Sequence, residues 1–140
     1  MPCYRIAVDS AVPTAALVPL FERLRARGLA LGVASNDSEA TTAATLAHLG
    51  VLNLVRFVAG YDSGHGAKPG PGMLVAFARA VGCDPVEVAV VGDAPADLLM
   101  ARAGGAGLAV AVAGGVTPAA ALCDLADVVV ASVTDVERLF

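Results

Sequence analysis

Apolar runs of five or six residues recur along the chain, and they most constrain the folds open to it. LALGVAS (29–35), VAVVGD (88–93) and LAVAVA (108–113) lack the alternation of polar and apolar residues typical of a half-exposed strand. Segments of about ten residues or more with helical spacing separate these runs. Strands buried on both faces and separated by helices predict an α/β fold, a doubly wound parallel sheet with helices on both sides.

The segments between the runs supply the helices. In the first, four apolar residues recur at intervals of three or four on one helix face: Leu17, Leu20, Phe21 and Leu24. Further helices are predicted from Ser38 to about His48, from Pro71 to Val81, over 95–105, after Thr117 and after Ser132, where Asp135 completes a capping box. Shorter strands are predicted over 5–8, 56–60 and 127–131.

Composition limits the function classes. A chain of 140 residues, 57% hydrophobic and 16% charged, predicts one domain spanning residues 1–140. Its longest apolar run, residues 105–116, is too short for a membrane span, and no signal peptide is recognisable, so a cytoplasmic protein is expected. A net charge of −4 without a basic block, and the absence of tryptophan, argue against nucleic acid as a partner.

Ligands of doubly wound sheets bind beyond the carboxyl ends of the strands, so the residues there are candidate site residues. Asp93 and Asp97 follow one buried strand, and two such carboxylates suit Mg²⁺, which prefers oxygen ligands. Asp9 ends the first apolar run. The alternative for Asp93 is a structural role as the cap of the following helix.

Two further strand ends carry polar groups that suit a phosphate. Ser35 and Asn36 offer a hydroxyl and an amide at a helix start, although Ser35 could instead serve, with Ser38, in capping that helix. Lys68 lies in a loop restricted by glycine and proline, where a fixed cation can neutralise a transferring phosphoryl group. The alternative for Lys68 is an ordinary surface charge.

Three segments together resemble the haloacid dehalogenase superfamily, in its phosphoglycolate-phosphatase-like branch. They are RLRARGLALGVASND with a motif II hydroxyl at Ser35, AKPGPGM with a motif III lysine at Lys68, and VVGDAPADLLMARAGGAG with motif IV acids at Asp93 and Asp97. The resemblance covers roughly residues 13 to 140. It implies a Rossmann-like core and a phosphomonoester phosphatase that uses Mg²⁺ and an aspartyl-phosphate intermediate.

The resemblance also implies roles for single residues. Ser35, with help from Asn36, binds the phosphoryl group, and Lys68 steadies both that group and the nucleophile. Asp93 binds Mg²⁺, while Asp97 either binds the metal through water or orients Lys68. The expected substrate is a small phosphorylated metabolite, with neither nucleic acid nor a membrane as partner.

Motif I of the family, Asp-x-Asp-Gly-Thr, has no match in the chain. Asp9 is the candidate nucleophile and metal ligand, but Ala11 stands where the second acid belongs and cannot transfer protons. The interval from Asp9 to Ser35 has room for a helix and a strand and none for a cap domain. Two interpretations stay open: Asp9 is the motif I aspartate, or motif I and the cap precede Met1 or have been lost.

Other functions remain possible at this point. The chain could be a catalytically incompetent module of the same fold, retained for binding phosphate or a partner. A flavodoxin-like receiver fits less well, because its lysine would follow the last acid, whereas Lys68 precedes Asp93. If the first strand is missing, an exposed apolar sheet edge predicts a homodimer.

Overall fold

Six parallel strands form one sheet in the computed structural model, which describes residues 3–6, 17–113 and 119–140. The order across the sheet is β3-β2-β1-β4-β5-β6. The strands are β1 (Cys3–Ile6), β2 (Ala30–Ala34), β3 (Phe57–Ala59), β4 (Val88–Gly92), β5 (Leu108–Val112) and β6 (Val128–Val130). The predicted α/β, doubly wound parallel sheet is confirmed.

Helices connect the strands. They are α1 (Leu17–Ala26), α2 (Glu39–His48), α3 (Gly72–Val81), α4 (Pro95–Gly104) and α5 (Ala119–Leu122), with 3₁₀ turns at Leu52–Leu54, Pro85–Glu87 and Val133–Leu139. Within the described ranges, each α-helix contacts a strand of the sheet and none belongs to a cap domain. No helix in those ranges is long and apolar enough to cross a membrane.

The strands β2, β4 and β5 are buried along most of their length on both faces of the sheet, which explains why they are continuously apolar. Val88 and Val90 of β4 pack with α3 and α4 on one face, whereas Val91 packs with α1 and α2 residues on the other. The four apolar residues predicted for one face of α1 are each fully buried. The hydrophobic spacing of the sequence therefore corresponds to real packing.

The last predicted helix differs from expectation in type. Its capping box is present, since Ser132 N–H donates to Asp135 and Thr134 N–H donates to Ser132 Oγ. The segment Val133–Leu139 is nevertheless a 3₁₀ helix, whose tighter winding still buries Val133 and Val136. The capping box thus marks the start of this helix but does not determine its winding.

β1 lies at the centre of the sheet, between β2 and β4. Cys3 pairs with Ala30 on one side and with Val88 on the other. The chain proceeds outward from β1 through β2 and β3, then returns to β4 and proceeds the other way, so strand order reverses beside β1. Doubly wound sheets bind ligands at such a reversal. The first strand is thus present inside the sheet, and the edge strands are β3 and β6. The homodimer, which was expected if the first strand were missing, stays a prediction.

Asp127 contributes contacts within the fold, away from the candidate site residues. Asp127, just before β6, accepts hydrogen bonds from Ala109 N–H (2.8 Å) and from Arg102 (3.1 Å). The Ala109 N–H and then the Arg102 guanidinium hold the pKa of Asp127 below its ordinary value. These contacts join α4, β5 and β6.

Candidate active site

A cleft of about 300 Å³ opens at the carboxyl ends of β2 and β4. Five of the six candidate site residues lie in it: Ser35, Asn36, Lys68, Asp93 and Asp97. The sixth, Asp9, lies outside the described residues. The polar residues that follow β2 and β4 therefore lie in one cleft with the lysine of the loop before α3. This cleft is next to the point where the strand order reverses.

Lys68 is the only lysine in the chain, and it is not a surface charge. Its side chain is 11% exposed, and Nζ forms an ion pair with Asp97 Oδ1. Nζ also donates a hydrogen bond to the main-chain oxygen of Ala34, 3.2 Å away at the end of β2. A largely buried ammonium held by one carboxylate and one carbonyl supplies a positioned positive charge inside the cleft.

Asp97 is buried to 2% exposure in the first turn of α4. One carboxylate oxygen bonds Lys68 Nζ, and the other faces the backbone of Gly92 so closely that a Cβ at Gly92 would overlap the Asp97 side chain. Glycine at the end of β4 is therefore required by this close approach. The contact with Lys68 favours orientation of the lysine, which is one of the two roles considered for Asp97.

Asp93 lies between β4 and α4, half-buried and facing the cleft. The N-cap position of α4 belongs to Ala94, which makes no side-chain capping hydrogen bond, so Asp93 does not occupy the cap position. Pro95 instead begins the helix, where a missing N–H costs little. Asp93 thus lies at the cleft, directly before the first turn of α4.

Ser35 is held by a tight turn after β2. Its N–H donates to Ala59 O (2.9 Å) and its Oγ accepts from Asp37 N–H (2.9 Å). The cap of α2 is Ser38, whose Oγ accepts from Thr41 N–H. Since Ser35 Oγ is an acceptor toward Asp37, its own O–H can donate into the cleft.

Asn36 contacts the main chain of Lys68 at two points. Asn36 Nδ2 donates to Lys68 O (3.0 Å), and Lys68 N–H donates to Asn36 Oδ1 (2.9 Å). The two residues are 32 positions apart in the chain. The loop after β2 and the loop before α3 are therefore joined at the lysine itself.

Sequence reasoning missed part of the lining. Thr42 and Thr45 of α2 face the cleft, each with its hydroxyl donating to a carbonyl of its own helix, Ser38 O and Thr41 O respectively. Two threonines three positions apart on one helix face were the available signal. The Ala34 carbonyl could not be found in this way, because every residue carries that group.

Comparisons with known proteins agree with this fold. A sequence model of haloacid dehalogenase-like hydrolases matches residues 3–105. Phosphoglycolate phosphatase of Rhodospirillum rubrum is 36% identical over 86 residues, which cover 61% of this chain and 36% of the relative. The chain thus spans about a third of that curated protein.

Solved structures show the same architecture. A structure named as a phosphoglycolate phosphatase of Lactobacillus delbrueckii subsp. bulgaricus has a TM-score of 0.82 at 25% identity, over 91% of this chain and 53% of the other. One named as a β-phosphoglucomutase of Thermotoga maritima has a TM-score of 0.80 at 16% identity, over 89% and 58%, and shows the fold alone. Because the family model spans most of the sequence, this chain belongs to the haloacid dehalogenase-like hydrolases.

Proposed function

We propose that this chain carries the core of a Mg²⁺-dependent phosphatase that transfers the phosphoryl group of a small phosphorylated metabolite to an aspartate and then to water. One observation carries the proposal. The only lysine of the chain is largely buried in a cleft that also contains Ser35 and Asp93, and Asp97 holds its ammonium there. A fixed cation, a hydroxyl donor and a carboxylate are the groups that phosphoryl transfer requires.

The ammonium of Lys68 would stabilise the negative charge of the phosphoryl group. In the transition state, negative charge spreads over the phosphoryl oxygens, and a pre-positioned ammonium stabilises it without further rearrangement. Asp97 and the Ala34 carbonyl each accept one hydrogen bond from Nζ, which leaves one of the three ammonium protons for a ligand. Asp97 is therefore assigned to orient Lys68.

Ser35 supplies a hydrogen bond to the same group. Its hydroxyl oxygen is fixed by Asp37 N–H, which leaves the O–H as the donor toward a phosphoryl oxygen. Hydrogen bonds to charged acceptors contribute about 1.5–3 kcal/mol. Ser35 and Lys68 would thus contact the phosphoryl group from the loop after β2 and the loop before α3.

The donors of the cleft fit a Mg²⁺ ion with few protein ligands. The described ranges contain no group of three His, Cys, Asp or Glu that could enclose a metal, and Asp97 is engaged with Lys68. Mg²⁺ is commonly held by one or two carboxylates with substrate phosphate and water, and Asp93 with Asp9 would provide them. The bound metal would neutralise phosphoryl charge and align the reacting oxygens.

Asp9 is the proposed nucleophile. It follows β1 by three residues, and β1 lies between β2 and β4, the two strands whose ends carry Ser35 and Asp93. A carboxylate oxygen of Asp9 attacks phosphorus, the ester P–O bond breaks, and the leaving alkoxide takes a proton from solvent. Water then attacks phosphorus of the aspartyl phosphate, releasing Asp9 and inorganic phosphate.

Hydrolysis of p-nitrophenyl phosphate tests the proposal. Its leaving group needs little protonation, so the absence of an acid at Ala11 does not mask activity. The wild-type chain is expected to hydrolyse it only with Mg²⁺ present, and Asp93→Asn to lose at least about 100-fold in rate, equivalent to some 2.7 kcal/mol of barrier. Asp9→Asn is expected to abolish the activity.

The matched control is Asp84→Asn, which removes one exposed carboxylate outside the cleft and should leave the rate unchanged. Equal rates for the wild type, Asp9→Asn and Asp93→Asn would contradict the enzymatic function. Saturable phosphate binding without hydrolysis would favour the phosphate-binding module instead. Undiminished hydrolysis by Asp9→Asn alone would exclude Asp9 as the nucleophile.

A further inference from the structure

We propose that Asn36 is a positioning residue that acts on the reaction through Lys68 and does not itself contact substrate. This inference rests on the proposed function, because it concerns the placement of the lysine used there. Its basis is the paired hydrogen bonds between the Asn36 amide and the main chain of Lys68, at 2.9 and 3.0 Å. A side-chain amide that bonds both N–H and C=O of one residue fixes the position and the orientation of that residue.

The paired bonds complete a set of contacts that holds Lys68 at both ends. Asn36 holds the main chain, while Ala34 O and Asp97 hold Nζ. Asn36 and Ala34 lie two residues apart at the end of β2. The same strand end therefore contacts both the main chain and the Nζ atom of Lys68. The flexible stem between these two points then has little freedom to move Nζ away from the cleft.

The loop that contains Lys68 is also docked by contacts that do not involve Asn36. Tyr61 N–H donates to Asp37 O (2.9 Å), and Asp62 accepts from Glu39 N–H (2.8 Å) at the start of α2. The backbone of Gly60 also lies so close to the turn before α2 that a Cβ there would overlap it. Removing the Asn36 amide is therefore expected to loosen Lys68 locally while the loop stays in place.

Exposure separates a positioning role from a structural one. Asn36 is exposed, so its truncation creates no buried cavity and leaves no buried group of its own unpaired. The expected consequence falls on the geometry of the lysine. Misplacement of a catalytic group by about 1 Å can cost on the order of 100-fold in rate.

Labelling with ¹⁵N-lysine tests the contact directly, because the single lysine gives a single main-chain amide signal. In the wild-type chain, hydrogen exchange of this amide is expected to be slowed by the bond to Asn36 Oδ1. Asn36→Ala should speed the exchange at least about tenfold. Asn53→Ala, the same change at the other asparagine of the chain, is exposed, lies outside the cleft and should leave exchange unchanged.

A double-mutant cycle on kcat/KM then separates indirect from direct action. Asn36→Ala is expected to lower kcat/KM for p-nitrophenyl phosphate by about 10- to 100-fold in the wild-type background and to have no further effect in Lys68→Met. An equal loss in both backgrounds would mean that Asn36 contacts the substrate itself and would overturn the proposal. Unchanged exchange at Lys68 in Asn36→Ala would overturn it as well.

The exchange measurement is independent of turnover. If the wild-type chain hydrolyses nothing, the proposed function fails, and faster Lys68 exchange in Asn36→Ala still supports the positioning of the lysine. A loss of stability shared by Asn36→Ala and Asn53→Ala, with equal Lys68 exchange, would assign Asn36 a structural role only.

Discussion

Replacing Asp97 with alanine is expected to lower the free energy of unfolding by about 3–5 kcal/mol. Asp97 is 2% exposed and pairs with the Lys68 ammonium, whose side chain is 11% exposed. Removing one partner of such a pair leaves the other charge without compensation in a site of low dielectric. Urea unfolding followed by circular dichroism measures the difference, provided that the slope of the transition is unchanged.

Neutralising both partners should recover part of this loss. The double variant Lys68→Met with Asp97→Asn carries neither charge, so no unpaired charge is left in the cleft. Its stability is therefore expected to exceed the value predicted by adding the losses of the two single variants. Asp84→Asn, at an exposed aspartate, should change stability by no more than about 0.5 kcal/mol. Additive losses for Lys68 and Asp97 would show that the two side chains do not interact.

Replacing Lys68 with methionine is expected to lower the rate of phosphomonoester hydrolysis by about 100- to 1,000-fold. Methionine retains much of the length of the side chain. It removes the ammonium, and among the described residues that line the cleft only Lys68 carries one. The loss is expected in kcat and in kcat/KM alike, because the charge acts mainly on the transition state. The assay is run at a temperature where circular dichroism shows that the variant is folded.

Lys68→Arg tests whether charge alone is sufficient. A planar guanidinium cannot reproduce the contacts of a compact ammonium to Asp97 and Ala34 O, so arginine is expected to restore only a small part of the rate. Arg79→Met serves as the control, since it removes an exposed cation on α3 outside the cleft. A rate for Lys68→Met within threefold of the wild type would contradict the role of the lysine.

The sheet and its helices could be predicted from sequence because local patterns encode them. The apolar spacing from Leu17 to Leu24 predicts α1, and Ser38 marks the start of α2, as the structure has them. The winding of Val133–Leu139 could not be predicted, because a capping box is compatible with both an α-helix and a 3₁₀ helix. Val133 and Val136 are buried in the 3₁₀ helix that is observed. This burial depends on tertiary contacts, which no local sequence pattern encodes.

The candidate site could be predicted only in part, because some of its contacts depend on tertiary structure. Ser35 and Asp93 could be named because they follow predicted strands, and Lys68 because glycine and proline restrict its loop. Asp97 could bind the metal through water or orient Lys68. The choice depends on whether Lys68 Nζ contacts the Asp97 carboxylate, and this contact is set by how the loop before α3 lies against the start of α4. The hold of Asn36 on Lys68 likewise joins residues 32 positions apart, and no local pattern announces such a contact.

Phosphate titration of the ¹⁵N-lysine-labelled chain tests the central claim, that this cleft binds a phosphoryl group against Ser35 and Lys68. With Mg²⁺ present, the single lysine amide signal is expected to shift saturably with inorganic phosphate, and Ser35→Ala to weaken the binding about tenfold, or 1.4 kcal/mol. The measurement does not depend on which residue is the nucleophile. A lysine signal that does not respond to phosphate, or that responds equally in Ser35→Ala, would contradict the account.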